Sequence, residues 1–317
     1  MHPAKSVILF TTASGAGYGM IIMLVLLLLT GSAALPVSAI IAGFGIAYAL
    51  ITVGLLSSTF HLGHPERAFR AMSQWRSSWL SREGVMAVLT YLPGLAFAWL
   101  WATGLPADHP AVLASGVIAI AFCLVTIFCT AMIYASLKTI HAWCNRWVPA
   151  GYIFLSLASG GLLVLPILAF FNVPMQDAAV FTLVCVAASG LIKLAYWNFL
   201  QDSASESTPG TATGLGDLGN VRLLEKPHTG SNYLMQEMGF SIARKHAAQL
   251  RKIAFVTAFI IPVVLIGVLW FSAVPGGLFI LTLAAAISAA VGVVFERWLF
   301  FAEAKHTVML YYGAPDA

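Results

Sequence analysis

The segment between residues 61 and 83 concentrates side chains that bind carbonyl oxygens and move protons. His61 and His64 open the segment, Arg67 follows them, and Glu83 closes it. An imidazole titrates near neutral pH and can donate or accept a hydrogen bond. A guanidinium stabilises negative charge, and a carboxylate relays protons. The segment therefore has the chemistry for a reaction in which a bound oxygen gains electrons and protons.

The two ends of this segment adjoin apolar stretches, which places its reactive groups at the boundary of a membrane. His61 directly follows one stretch, and Glu83 immediately precedes the next. A lipid-soluble quinone reaches this depth, and its reduction needs a donor to a carbonyl oxygen and a titratable group in contact with water. The same residues suit a plainer purpose, because His and Arg at a membrane surface also cap helices and bind lipid phosphates.

Eight apolar stretches organise the chain. Of its 317 residues, 60% are hydrophobic and 9% are charged, whereas a soluble domain carries about 25% charged residues. Because backbone groups in the hydrocarbon core have no water to bond, each stretch must be helical. The sequence predicts an all-α polytopic membrane protein, a single domain 1–317 with eight transmembrane helices. The predicted spans are Ser6–Thr30, Pro36–Phe60, Gly84–Thr103, Ala111–Leu137, Ala150–Phe171, Ala178–Leu200, Ile253–Ala273 and Gly277–Phe301.

The first apolar stretch is too long for a signal-peptide core, so we expect it to be retained as a helix. All 16 Lys and Arg residues can be placed on one side of the membrane: they lie in the loops 61–83, 138–149 and 201–252 or near the chain ends, except Lys193 and Arg297, which lie inside spans within reach of that side. The opposite side carries Asp108 and Asp177. Since Lys and Arg are retained in the cytoplasm, both termini and the three long loops should be cytoplasmic. Nothing in the charge pattern indicates nucleic-acid binding.

The loop 201–252 divides into two parts. Residues 202–220 are rich in Ser, Thr and Gly. Residues 214–219 match a dinucleotide-binding glycine pattern, but no strand precedes them, so a flexible turn is the favoured interpretation. A helix over about residues 231–252 is expected to lie at the membrane interface and to lead into the seventh span.

The sequence offers little for a metal centre of its own. Its four cysteines have no Cys-x-x-Cys spacing, so they cannot ligate an iron–sulfur cluster, and no metal site is predicted. None of the eight histidines lies at the centre of a span. A b-type haem at the cytoplasmic boundary is therefore possible, but the sequence does not indicate one. Tyr134 and Trp143 are typical of an aromatic belt. Lys193, Glu296 and Arg297 lie toward cytoplasmic span ends, where long cations reach water, and no charge occupies a span centre as an ion path requires.

The run His61-Leu-Gly-His-Pro-Glu-Arg-Ala-Phe69, followed by Leu80-Ser-Arg-Glu83, resembles the membrane-anchor subunit of dimethyl sulfoxide reductase and its relatives. The resemblance extends to Tyr134 and to the eight-helix plan. It implies a quinone site in which His61, Arg67 and Glu83 do the chemistry. The residues of that site are His61, Gly63, Arg67, Glu83 and Tyr134, with His64 as a second supplier of protons.

The resemblance also implies partners. An anchor of this family binds ubiquinone or menaquinone and holds a ferredoxin-like subunit with four iron–sulfur clusters, which exchanges electrons with a molybdopterin catalytic subunit. We expect these subunits to dock on the loops 61–83, 138–149 and 201–252. The clusters and the molybdopterin would lie in the partners only. The protein itself is expected in the inner membrane of the cell, in contact with lipid.

The side of the membrane on which loop 61–83 lies separates two branches of this family. In the dimethyl sulfoxide reductase of enteric bacteria the catalytic side faces the periplasm, whereas the charges here place the loop in the cytoplasm. The sequence is therefore more similar to the membrane subunit of a cytoplasm-facing sulfite dehydrogenase that donates electrons to quinone. The alternatives are a dimethyl sulfoxide reductase anchor that oxidises menaquinol, a b-type cytochrome and, from another class, a small-anion transporter.

Overall fold

Eight membrane-spanning helices account for most of the chain. The computed structural model describes residues 4–32, 35–60, 62–203, 205, 207–225, 229–230, 232–238, 242–269 and 277–314. Every regular element within those ranges is helical, which confirms the all-α fold. Eight of the helices are long and apolar enough to cross a membrane. They are α1 (Lys5–Leu29), α2 (Val37–Thr59), α3 (Trp79–Ala102), α4 (Pro110–Ala135), α5 (Trp147–Phe170), α6 (Gln176–Asp202), α7 (Ile242–Phe255, Val256–Ile260 and Ile261–Leu269 in succession) and α8 (Gly277–Ala302).

The third span begins at Trp79, earlier than the predicted start at Gly84. Ser78 precedes it, and the Ser78 side chain accepts a hydrogen bond from the backbone N–H of Ser81 at 3.4 Å. A serine at this position starts a helix because it satisfies one of the N–H groups that lack a partner there. The expectation that Glu83 closes a loop is therefore wrong, since Glu83 lies in the second turn of α3.

The connections on either side of the site are partly helical. The segment between α2 and α3 contains a 3-10 helix, Pro65–Gln74. Within the helix predicted over residues 231–252, the structure describes a short helix, Tyr233–Met238, and the first part of α7, while residues 239–241 lie outside the described ranges. The π-helical turn Val256–Ile260 then continues α7 into its membrane span.

The glycine pattern at residues 214–219 lies among short helical turns. Thr208 caps the helix Pro209–Thr213, since its hydroxyl accepts a hydrogen bond from the backbone N–H of Thr211 at 3.2 Å. Gly214 ends that helix with φ at +69°, a conformation that glycine adopts without strain. The glycines therefore form turns, and no strand precedes them in the described part of this loop.

The first span is the most buried of the eight. In its most apolar stretch 78% of the residues are buried, against 22% to 56% in the other spans. Gly19 and Gly160 bring the backbones of α1 and α5 together. A Cβ on Gly19 would lie 1.9 Å from the carbonyl oxygen of Ser156, and a Cβ on Gly160 would lie 2.1 Å from the carbonyl carbon of Gly19. Small residues allow such close packing of helices within a membrane.

One end of the bundle carries the long connections, and we call it the loop end. The odd-numbered spans begin there and the even-numbered spans finish there. Ser57, near the end of α2, donates a hydrogen bond to the carbonyl oxygen of Ser6 at 3.0 Å. Trp143, between α4 and α5, donates from Nε1 to the carbonyl oxygen of Phe300 at 2.9 Å. These bonds fix the loop end as one connected structure, on which the site is built.

Candidate functional site

A cavity of about 450 Å³ lies at the loop end, between the first four spans and the 3-10 helix Pro65–Gln74. This volume is in the range of about 300–1,000 Å³ that small-molecule sites have. Phe10 of α1, Leu55 of α2 and Ala87 of α3 contribute to its wall, which is mostly apolar. Among the described residues that line it, Glu83 is the one with a charged side chain. A cavity of this kind suits a ligand with an apolar body and a few polar atoms.

The carboxylate of Glu83 is buried in the wall of this cavity without a partner. Its residue is 5% exposed, and Oε1 has no hydrogen bond within the described residues. The capped start of α3 places Glu83 one turn inside the helix, where its side chain reaches the cavity. Because an unpaired buried carboxylate is costly, a group in this position points to a ligand or to proton exchange.

Tyr134, near the end of α4, also lines the cavity. Its ring is enclosed by other rings, with the centroid of Trp143 at 5.3 Å, that of Phe300 at 5.6 Å and that of Tyr152 at 6.0 Å. Trp143 is only 3% exposed, so it does not form the aromatic belt at the lipid surface that the sequence suggests. The aromatic cluster fixes the orientation of Tyr134 and hence the position of its hydroxyl.

The remaining predicted site residues lie outside the cavity or outside the described part of the chain. His61 falls outside the described residues, although Thr59 and Leu62 on either side of it both line the cavity. The side chain of His64 is 68% exposed, and its Nδ1 lies 3.1 Å from a carboxylate oxygen of Glu66. The structure thus places Glu83 and Tyr134 in the wall of one cavity and leaves His64 exposed outside it.

Gly63 and Arg67 also face solvent at the loop end. Arg67 has a side chain that is 57% exposed, and its Nε lies 3.7 Å from a carboxylate oxygen of Glu66. A Cβ on Gly63 would meet nothing within 4 Å. Neither residue lines the cavity in the structure, so a role for them in ligand binding stays a prediction.

Exposed aromatic and cationic side chains form a patch on the same segment. Phe69 and Trp75 are 67% and 54% exposed. The guanidinium carbon of Arg70 lies 5.9 Å from the ring centroid of Phe69, and that of Arg76 lies 5.5 Å from the ring of Trp75. We call these four residues the arginine–aromatic patch. Aromatic residues and arginine are enriched at protein interfaces, so the patch is suited to a protein partner.

Two histidines at the loop end are engaged with neighbouring groups. Nε2 of His141 lies 2.7 Å from Oγ of Ser203, and the His141 ring stacks on Phe199. His306 packs edge-on against Trp143, and burial lowers its pKa from 6.5 to about 4, so its imidazole is neutral. Within the described ranges, no group of three or more His, Cys, Asp or Glu side chains could hold a metal ion.

A cluster of buried charges lies apart from the cavity, and sequence reasoning missed it. The expectation that Lys193 and Arg297 extend toward water is wrong, because their side chains are only 12% and 6% exposed and both contact Glu296. Glu296 and Phe300 are four residues apart on α8 and both are buried, which places the cluster on the inner face of that helix. Residues four apart share one face of a helix, so Glu296 shares a face of α8 with the aromatic Phe300. This spacing is the signal in the sequence that the carboxylate faces the interior.

Comparison with known proteins yields matches of different extent. The family model described as the DMSO reductase anchor subunit (DmsC) matches residues 1–313. The sequence is 34% identical to a sulfite dehydrogenase subunit of Allochromatium vinosum, over 98% of this protein and 99% of that one. It is 32% identical to a component of the anaerobic dimethyl sulfoxide reductase of Escherichia coli, over 49% of this protein and 54% of that one. No solved structure matches the sequence.

Proposed function

The chain belongs to the family of DMSO reductase anchor subunits, and from this premise we propose that it passes electrons between a partner iron–sulfur subunit and a quinone bound beside Glu83 and Tyr134. The observation that carries the proposal is the unpaired carboxylate of Glu83 in the wall of an otherwise apolar cavity. A quinone has two carbonyl oxygens that need donors and a tail that needs an apolar surface. The cavity offers both.

The protein's own groups would hold the ring and supply protons, while the quinone supplies the two-electron chemistry. Glu83 holds a proton at the cavity wall and gives it to a carbonyl oxygen. The hydroxyl of Tyr134 donates a hydrogen bond to a carbonyl oxygen and keeps the ring in place. His61, whose neighbours Thr59 and Leu62 line the cavity, is proposed as a further donor.

Residues on the surface would serve the cavity from outside. His64 is exposed and lies two residues from Leu62 in the cavity wall, so its imidazole is placed to deliver protons from water. Arg67 adds positive charge there, which favours a ring that becomes negatively charged during reduction.

The loop end is proposed as the docking surface for the partner subunits. The homologues are subunits of larger oxidoreductase complexes. The arginine–aromatic patch lies on the segment that also forms one wall of the cavity. A four-cluster iron–sulfur subunit that covers this patch would bring its terminal cluster next to the quinone, and a molybdopterin catalytic subunit would attach through it.

Sulfite oxidation is the reaction that we propose for the whole complex. The similarity to the sulfite dehydrogenase subunit extends over nearly the whole of both proteins, whereas that to the dimethyl sulfoxide reductase component spans about half of each. The placement of Lys and Arg favours a loop end in the cytoplasm, and hence a complex that faces the cytoplasm from the inner membrane.

A fluorescent protein fused to the C-terminus is expected to fluoresce in cells, because the basic loop end should be retained in the cytoplasm. Alkaline phosphatase, which works only after export, should be inactive at the same position. Fusions after Asp108, in the short loop between α3 and α4, provide the control with the opposite pattern. Active phosphatase at the C-terminus would contradict a cytoplasm-facing complex.

Replacing Gly84 with leucine is expected to weaken quinone binding at least ~tenfold, because the new side chain would fill part of the cavity and even 1.4 kcal/mol of overpacking is tenfold. Gly84 lines the cavity, and a Cβ there would meet only Cγ of Met72, at 3.8 Å, so α3 tolerates a side chain. The measurement is titration of the purified complex with naphthoquinone. Gly84→Ala, which adds a single methyl group, should bind nearly as wild type, and equal affinity in all three proteins would contradict the site.

A further inference from the structure

Three charged side chains lie together inside the loop end of the bundle. Lys193 of α6 contacts Oε1 of Glu296 through its Nζ, and Nε of Arg297 lies 2.8 Å from Oε2 of Glu296. The side chains of Lys193, Arg297 and Glu296 are 12%, 6% and 2% exposed. Two cations and one anion leave this triad with one positive charge in excess.

Within the described residues, Glu296 is the one carboxylate in contact with Lys193 and Arg297. Nη1 of Arg297 has no hydrogen-bond partner within the described residues. The nearby pair of Arg251 and Glu303, at 3.0 Å, is neutral as a unit. Two small cavities, of about 30 Å³ and 10 Å³, adjoin Arg297. They have room for one or two water molecules and not for a carboxylate side chain.

A buried triad of this kind is an expensive way to hold helices together. Removing charges from water costs more than a single ion pair returns, and apolar residues of similar size often pack more stably. Ionisable residues inside membrane proteins therefore usually serve a function. An unequal triad adds a further cost, because the third charge has no opposite charge of its own.

Aromatic rings connect the triad to the cavity that holds Glu83. The guanidinium carbon of Arg297 lies 4.0 Å from the ring centroid of Tyr152. The Tyr152 ring stacks on that of Tyr134, with 6.0 Å between their centroids, and Tyr134 lines the cavity. Rings and apolar side chains screen charge far less than water does, so the field of the triad extends to this wall of the cavity.

We propose that the Lys193–Glu296–Arg297 triad gives the Tyr134 wall of the cavity a fixed positive potential, so that the site prefers negatively charged ring ligands to neutral ones. This inference rests on the proposed function, because a quinone is the ring whose oxygens become negative as electrons arrive. The three residues act through Tyr152 and Tyr134 and do not touch the ligand. They determine specificity for the charge state of the ring and thereby favour its reduction.

Opposite changes of charge in the triad should move ligand preference in opposite directions. Lys193→Met keeps the Glu296–Arg297 pair and leaves no net charge, whereas Glu296→Gln leaves two cations. The purified complex is titrated with 2-hydroxy-1,4-naphthoquinone, which is an anion at neutral pH, and with unsubstituted 1,4-naphthoquinone, which is neutral. The ratio of the two Kd values should shift about six- to sixteenfold toward the neutral ring in Lys193→Met and by a similar factor toward the anion in Glu296→Gln, on the order expected for unit charges about 10–15 Å apart at an effective dielectric constant of about 20.

A matched control separates this effect from general damage to the bundle. Asp177→Asn makes the equivalent chemical change on an exposed residue at the opposite end of α6 and should leave the ratio unchanged. If the Glu296→Gln complex does not assemble, the inference is tested by Lys193→Met alone, because that variant retains the Glu296–Arg297 ion pair. An unmoved ratio in Lys193→Met, or a shift of the same sign in both variants, overturns the inference and leaves the quinone site standing. Failure of both ligands to bind the wild-type complex would remove the proposed function and this inference with it.

Discussion

Glu83→Gln is expected to lower quinone-linked turnover by about 100-fold or more, which is the contribution typical of a general acid or base. The amide keeps the size of the side chain and removes its ability to carry a proton. Because Oε1 of Glu83 has no partner within the described residues, the substitution breaks no ion pair there. The measurement is the rate of quinone reduction by the intact complex, beside the rate with an artificial dye that takes electrons from the partner subunits directly. The dye-linked rate should not change.

Glu66→Gln is the matched control for this experiment. Glu66 lies in the same segment, but its carboxylate is 63% exposed and contacts His64 and Arg67 rather than the cavity. Its quinone-linked rate should remain within about twofold of wild type, because surface ion pairs contribute little. A Glu83→Gln complex that turns over quinone at the wild-type rate would show that protons reach the ring by another route.

Gly160→Ala is expected to destabilise the folded protein by about 3 kcal/mol or more, at the upper end of overpacking costs. The new Cβ would lie 2.1 Å from the carbonyl carbon of Gly19 and 2.2 Å from the backbone nitrogen of Met20. A side chain can relieve a clash by changing its rotamer, but backbone atoms cannot, so α1 and α5 would have to separate. Such a loss is a large part of a typical stability of about 5–15 kcal/mol. Thermal unfolding of the purified protein in detergent measures it.

Gly45→Ala tests the same change where there is space. Gly45 lies in the middle of α2, is exposed on the outer face of the bundle, and has no atom within 4 Å of an added Cβ. Alanine also favours a helix over glycine by about 1 kcal/mol. Its unfolding temperature should equal or exceed that of the wild type. Equal losses in the two variants would mean that the contact of α1 with α5 is not a tight one.

The spans were predictable because the membrane imposes their length and their helical backbone. The first two predicted spans, Ser6–Thr30 and Pro36–Phe60, differ by one residue at each end from the observed helices. The start of α3 was missed because helices extend past the apolar core, and hydropathy does not record where a cap such as Ser78 begins them. Local chemistry, not hydrophobicity, decides helix ends of this kind.

Part of the site was predictable from the sequence, and its shape was not. Residue types pointed to Glu83 and the family resemblance to Tyr134, and both line the cavity. The residues that complete the wall, such as Phe10 and Leu55, have no chemical signature that separates them from lipid-facing neighbours. The distance of Arg297 from the span end would allow it to reach water, but burial depends on how α8 packs against α5 and α6, which hydropathy does not record.

The deep burial of α1 has a consequence for how the protein is made. α1 leaves the ribosome first, yet Gly19 meets Gly160 only after α5 has been synthesised, and the Tyr134 wall receives Phe300 only with α8. Until α5 has been inserted, the glycine face of α1 must therefore contact lipid or another protein instead. The packing around Tyr134 is therefore completed last, so this wall of the cavity is held in place only once α8 has been inserted.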